Sequence, residues 1–491
     1  MLMRNLLGLM PVAALLFGYS SVATAAETTR VATAGEKDNL FDLHFGVSYD
    51  YDFKKASILR EWSVGNENRL AKDLIYRQRR QTVTPSLEFG IFHDISVYMS
   101  LPIVVSDRRE YGFDQELGDE CVYPGAGSSA GGATCVDKTN SSTIRDSIVP
   151  VDGFDARNTT DPYGQFTGAD TALIFQGPRR QGIDQLHLGI KYKLLNQRKL
   201  SHMPNWVAGI EGRFAVGKAM KFTREIQIDD KPSNHAVGRG IHELGVWTAL
   251  SRRYRYLDPF FGAYWRQSMS SNKSQFINYG GSQTSVNPQS TTGAYVGAEI
   301  VPWERKAKSQ KVSILIRGSA ELKYNGRGYS EIWELLADSP ALVGTYDTAA
   351  HQCDAQPAVD YANDADNASN PGGYLDAAND APGNSGCKAF TGITSIQDYG
   401  SFAIDVGLNF HLGPYARLNF GANLKTDTQH ILTSASRGDA DALSSGDNDL
   451  VDAGTAEVNP VRRDVIDTVG RRYAIDGVFR LVGYANFLVT F

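Results

Sequence analysis

The sequence predicts an all-β fold: a transmembrane, antiparallel, up-and-down β-barrel of about 12 strands, with short periplasmic turns and long extracellular loops. Three observations lead there. The closing stretch, 473–491, places Phe491, Val489, Phe487, Ala485, Gly483, Leu481, Phe479, Gly477 and Ile475 on one face. Thr490, Asn486, Tyr484, Arg480 and Asp476 fall on the other, with Leu488, Val482, Val478 and Ala474 among them. A period of two over so long a run is a strand. One-sided apolar runs of this kind recur along the whole chain. Finally, short and long connections between them alternate, which puts both ends of the barrel on the short-turn side.

Composition agrees. The 491 residues are 42% hydrophobic with mean hydropathy -0.30, too polar for a bundle of membrane helices. The one long apolar run, 6–17, follows Arg4 and precedes Ala23-Thr24-Ala25. That is the pattern of a cleaved export signal over 1–25, with a short periplasmic segment over 26–39 and the barrel over 40–491. A formal net charge of -6 is small for this size and argues against nucleic acid as a partner. The 48 Gly and 23 Tyr suit a β-rich membrane wall. A soluble sandwich or propeller has to account for the signal and for the repeated apolar faces.

The first strand alternates Phe41, Leu43, Phe45, Val47, Tyr49, Tyr51 and Phe53 with polar residues. After a polar loop the chain returns over 75–92, with Val83, Leu87 and Phe89 outward, and turns at His93-Asp94. Ile95, Val97, Met99, Leu101, Ile103 and Val105 carry the third strand, where Pro102 is awkward for a ladder. Long loops are expected near 107–183, 325–396 and 428–472, the second opening with a helix near 329–336. Between them Leu188, Ile190 and Tyr192, then Trp206, Ile210 and Phe214, then Leu244 and Val246 mark outward faces. The next strand is ambiguous, because Phe261/Ala263/Trp265 competes with Phe260/Tyr264. Strands led by Val296, Ile316, Ile404 and Phe420 complete the wall. Trp206, Trp303, Tyr415, Phe41 and Phe491 suit one interfacial girdle; Tyr51, Phe53, Trp265 and Tyr324 suit the other.

The inward face is charged. Parity aims Glu88, Glu211, Glu243, Glu299, Glu321, Asp405 and Asp476 inside, with Lys191, Arg213, Arg317, Arg417 and Arg480. Arg80, Lys323 and Lys425 join them. Such a lumen is either hydrated or densely ion-paired, because unpaired buried charge is costly. Cys121 with Cys135 and Cys353 with Cys387 suggest two loop disulfides in an oxidising compartment, other pairings remaining open. No cofactor is expected and no metal site is assigned; acidic loop runs such as Asp376 and Asp380 match no EF-hand spacing and read as solvated, with calcium binding the alternative. Dibasic pairs Arg79-Arg80, Arg108-Arg109, Arg179-Arg180 and Arg471-Arg472 lie where strands leave the membrane. Their outward members suit lipopolysaccharide phosphates, with loop ion pairs the alternative. The closing strand, ending in Phe491, is the expected handle for the barrel-assembly machinery.

The wall histidines His44, His187 and His242 belong to no nucleophile or zinc motif, so no enzyme is expected. GIFHDISVYMSLPIVVSDRREY, 90–111, with Gly90, Asp94, Leu101 and Pro102, resembles a hairpin of the meta-pathway phenol-degradation outer-membrane family; LHLGIKYKLL from Leu186 resembles that family's fourth strand. The resemblance covers the first half of the chain and implies passage of small, often aromatic or apolar, compounds. The expected function is an outer-membrane channel for passive passage of small solutes through a charged lumen. The alternative is a surface structural or recognition barrel with a plugged lumen, and a lipid hydrolase ranks third.

Overall fold

A computed structural model describes residues 29–34, 42–64, 67–114, 136–166, 173–197, 202–224, 232–276, 285–342, 390–441 and 457–491, with 283, 345–347, 352–354 and 450–451. The wall is a closed antiparallel barrel of 12 strands. They are β1 (Leu43–Val64), β2 (Glu67–Phe92), β3 (Ile95–Ser100, resuming as Ile103–Phe113), β4 (Gln185–Leu195), β5 (Asn205–Ala215) and β6 (Ile241–Ser251). β7 (Leu257–Ser270), β8 (Ser290–Arg305), β9 (Gln310–Tyr324), β10 (Tyr399–Leu412), β11 (Ala416–Asp427) and β12 (Tyr473–Thr490) follow.

β12 pairs with β1 from His44↔Thr490 to Arg60↔Tyr473, which removes both free edges. The strands tilt. A hydrogen-bonded row from Lys54 on β1 passes through Arg480, Ala403, Gly262 and Val207 and ends at Lys193, against the β2–β3 turn. Closure of a barrel demands that stagger.

Alternation puts the large apolar side chains outside, including Ile190, Ile210, Val296, Ile404 and Phe420, each exposed. Trp206, Trp303, Tyr415 and Phe491 are exposed at the short-turn end. At the other end the Trp265 indole donates to the Tyr324 hydroxyl at 2.6 Å. A closed wall with a belt of apolar side chains outside and charge inside is an outer-membrane barrel, because a bilayer accepts only structures whose backbone bonds are all satisfied internally. The strand with two competing parities is resolved: Trp265 faces out, while Phe260 and Tyr264 are buried inside.

Four departures from simple alternation have local causes. No separate polar loop follows Phe53: β1 and β2 stay paired from Lys54↔Gln78 to Val64↔Glu67, with one register shift between Ile58 and Leu59. Ala56, Ile58, Leu74 and Tyr76 keep the alternation going there and are buried. β3 continues to Phe113 beyond a bulge at Gln81/Thr82, and Leu173–Gln176 and Arg180–Ile183 extend the wall beside it. On β12 the register slips between Lys55 and Ser57, beside Gly477 at φ 58, a conformation glycine adopts freely. The slip reverses parity: Asp476, expected inside, is exposed, and Ile475, expected outside, is buried. The helix expected near 329–336 is a single turn, Trp333–Leu336.

Candidate functional site

The candidate site is the barrel interior, which has three storeys. Glu88, Lys191, Glu211, Arg213, Glu243, Glu299, Arg317, Glu321, Asp405, Arg417 and Arg480 all sit at inward register positions. Ten of these, from Glu88 with Lys191 at one end to Arg480 with Asp52 at the other, meet in separate ion-paired groups.

At the periplasmic mouth Glu88 is the hub. It accepts hydrogen bonds from the Ala32 backbone N–H (2.8 Å) and the Ser96 hydroxyl (2.9 Å), and pairs with Lys191 (2.8 Å). His44 bridges Glu88 and Asp42, at 3.5 and 2.8 Å. The segment 29–34 therefore lies inside the mouth: Thr29 reaches Ser251 of β6 at 2.7 Å, while Ala32 is tied to β2. Gly90 is required here, because a Cβ would collide with the backbone of Thr33 and Ala32. On the other side Glu299 pairs with Lys311 at 2.6 Å.

Above the mouth, aromatic rings lie flat over glycines of neighbouring strands. Tyr98 covers Gly189, Trp247 covers Gly209, Tyr264 covers Gly293, and Tyr484 covers Gly421; a Cβ at any of these glycines would strike the ring. Each tyrosine hydroxyl then meets a carboxylate that also holds a cation. Tyr98 donates to Glu211 (2.8 Å), which pairs with Arg213 (2.6 Å). Tyr484 donates to Asp405 (2.7 Å), which pairs with Arg317 (2.5 Å). Tyr264 donates to Glu321, which pairs with Lys425 (3.1 Å). The same unit of glycine, tyrosine, carboxylate and cation thus occurs on three parts of the wall. Parity in the sequence located its charges; the inward glycines opposite aromatics were the signal for the rest.

The same storey carries a belt of charge. Arg213 reaches Glu243 (3.3 Å), Arg480 grips Asp52 (2.6 Å), and Lys54 lies between Asp427 (3.5 Å) and Glu331 (2.5 Å). These pairs satisfy one another, as charges taken out of bulk water must. Packing is nonetheless incomplete: Asp50, Asp52, Thr82, Ser319 and Asn423 face inward yet remain partly exposed, so the interior keeps space for water.

The third storey is a cap across the outer mouth. Ile58, Leu74, Tyr111, Phe154, Phe175, Leu335, Leu432 and Tyr473 form one apolar core around Trp333, which is 0% exposed. Arginines pin the connecting segments to it. Arg180 pairs with Glu334 at 2.5 Å, both fully buried, donates to the Ala236 and Lys221 carbonyls, and stacks 4.9 Å from the Trp333 ring. Arg60 donates to the Ser142 (2.8 Å) and Val465 (2.7 Å) carbonyls; Arg463 donates to the Leu342 carbonyl (2.8 Å). Burial opposes ionisation of Glu331, on the underside of the cap, but the Lys54 ammonium more than offsets it and holds the carboxyl below its usual range. Burial pushes the Asp467 carboxyl up to about 6 despite the Arg463 and Ala435 backbone N–H groups it accepts.

The histidines have local partners. His242 is on the outward parity, its Nδ1 accepting the Ala215 backbone N–H at 3.1 Å, and His187 lies 3.4 Å from the Ser100 hydroxyl inside. Among the described residues no His, Cys, Asp and Glu group is placed to hold a metal. Cys121, Cys135 and Cys387, the side chain of Cys353, Phe41, the export signal over 1–25, and Asp376 and Asp380 of the acidic loop lie outside the described residues.

No protein-family model matches the sequence, and no curated protein matches it. Among solved structures, the chain is similar to an outer membrane channel from Pseudomonas putida F1, at 8% identity over 91% of this chain and 95% of that one, with a TM-score of 0.37. It is also similar to the CymD monoaromatic hydrocarbon channel, at 9% identity over 95% and 91% with a TM-score of 0.31. The outer membrane protease OmpT of Escherichia coli aligns at 7% identity over 92% and 98%, with a TM-score of 0.27.

Proposed function

We propose that the protein is an outer-membrane channel that passes small solutes passively through its charged interior. The observation that carries this reading is the partly exposed inner face of Asp50, Asp52, Thr82, Ser319 and Asn423. A barrel built only as a scaffold gains nothing from leaving inward polar and charged side chains partly exposed. The ion-paired belt then acts as a filter by size and field, and the aromatic rings offer flat faces to a passing solute. Segment 29–34 and the cap are the two stoppers that passage displaces. Proteoliposomes containing the full-length folded protein should swell in small charged and neutral solutes faster than empty liposomes. Equal rates, with the barrel verified as folded by its heat-modifiable migration, would sink the proposal.

The cap favours a second reading, a recognition barrel that displays an ordered outer surface over a plugged lumen. In that case cutting the contact between Lys54 and Glu331 leaves solute flux unchanged, whereas a channel becomes more permeable.

A further inference from the structure

Strand parity splits the dibasic pairs Arg79-Arg80, Arg108-Arg109 and Arg179-Arg180. Arg80 faces the belt, and Arg109 and Arg180 are buried beneath Trp333. Arg79, Arg108 and Arg179 are exposed on the outside of the wall. The register places Arg79 directly opposite Arg108, and the pairing of Asp107 with Arg180 brings Arg179 alongside on the next strand. Arg77 shares this face, between Lys55 of β1 and Glu110 of β3.

Like charges directly opposite in a ladder are destabilising. Arg77, Arg79, Arg108 and Arg179 make no side-chain ion pair with any described residue, although Glu110 and the exposed Asp476 share this outer face. Immediately on the membrane side, Phe53 lies opposite Arg79 and next to Leu481, with exposed Tyr51 beyond. A row of unneutralised guanidinium groups above a lipid-facing apolar surface has the chemistry of a phosphorylated amphiphile turned inside out. We infer that this face binds the phosphates of lipid A, the anchor of lipopolysaccharide in the outer leaflet. Arg79 and Arg108 take the phosphate oxygens through charge-assisted bonds, and the acyl chains lie along Phe53, Tyr51 and Leu481.

The test is native mass spectrometry of the full-length folded barrel titrated with bisphosphorylated lipid A or with its phosphate-free counterpart. The wild-type protein should bind the phosphorylated form. Arg79→Ala/Arg108→Ala should weaken it by about tenfold per arginine, the equivalent of one charge-assisted hydrogen bond. Arg255→Ala/Lys306→Ala, which removes the same charge at the periplasmic turns, should bind as wild type. In lipid-free detergent the Arg79→Ala/Arg108→Ala protein should melt no lower than wild type, since relieving repulsion costs nothing; Arg79→Gln alone serves if the double variant does not fold. Equal affinity for phosphate-free lipid A, unchanged binding by the arginine variants, or an equal loss in the periplasmic-turn control would overturn the inference.

Discussion

The charged belt and the outer cap both bury arginines and carboxylates, yet they use them differently. Inside the wall the charges come from the strands themselves, pair along one strand or with its neighbour, and face a partly exposed interior. In the cap each arginine reaches across the sequence to carbonyls of otherwise irregular segments, as Arg60 does to Ser142 and Val465. A guanidinium has five donors, so one arginine satisfies several backbone carbonyls that a loop would otherwise leave buried and unpaired. The wall needs no such help, because its backbone bonds are made by the ladder. The same residue type therefore pairs with carboxylates of the wall in one region and clamps irregular segments in the other.

The largest effect should come from breaking the clamp. Arg180→Ala leaves Glu334 buried and unpaired, a loss of about 3–5 kcal/mol confined to the cap. Hydrogen exchange over 329–342 should rise sharply while the barrel keeps its heat-modifiable migration. The pH dependence of the cap has the next effect. The raised carboxyl of Asp467 favours its protonated form, so its contribution is fully present below the unfolded pKa, near 4. That contribution is lost as pH rises through about 6, on the order of 3 kcal/mol in all. Protease resistance of 457–467 should accordingly fall between about pH 4 and about pH 6, and Asp467→Asn should flatten the profile.

Inside the wall the effects are smaller. Gly421→Ala drives a methyl group into the Tyr484 ring and should cost about 1–3 kcal/mol, read as a lower melting temperature in detergent. Arg480→Gln removes a partly exposed partner of Asp52 and should change stability by about 1 kcal/mol or less. Its signature is instead a shift of ion selectivity toward cations, measured as a reversal potential. If that substitution destabilised the protein as much as Arg180→Ala does, the distinction between belt and cap would fail.

This difference also explains what the sequence could convey. The wall was legible because a period of two assigns each residue to a face, which placed Glu211, Arg213 and Arg317 inside without any contact being known. The rule failed at Asp476 because one residue inserted at Gly477 reverses every position beyond it. It also stopped short on β1, where Lys54 and Lys55 read as a loop although Ala56 and Ile58 continue the alternation. The cap was illegible for a different reason. Its core joins Trp333 to Tyr111, Phe175 and Tyr473, residues that share no period and are far apart in the chain. Besides Asp146 and Glu334, Arg60 and Arg180 bind backbone carbonyls, which carry no residue-type signal. The glycine and tyrosine units fall between these cases: Tyr98 and Tyr484 were on the inward parity and Tyr264 was ambiguous, but only the register shows which ring covers which glycine.

The most direct test of the channel reading is single-channel recording from the full-length protein in planar bilayers, alongside Glu331→Gln, which loosens the cap from Lys54. Discrete conductance steps in the wild-type protein, becoming larger or longer-lived in the variant, are the predicted result. Folded barrels that carry no current in either form would contradict it.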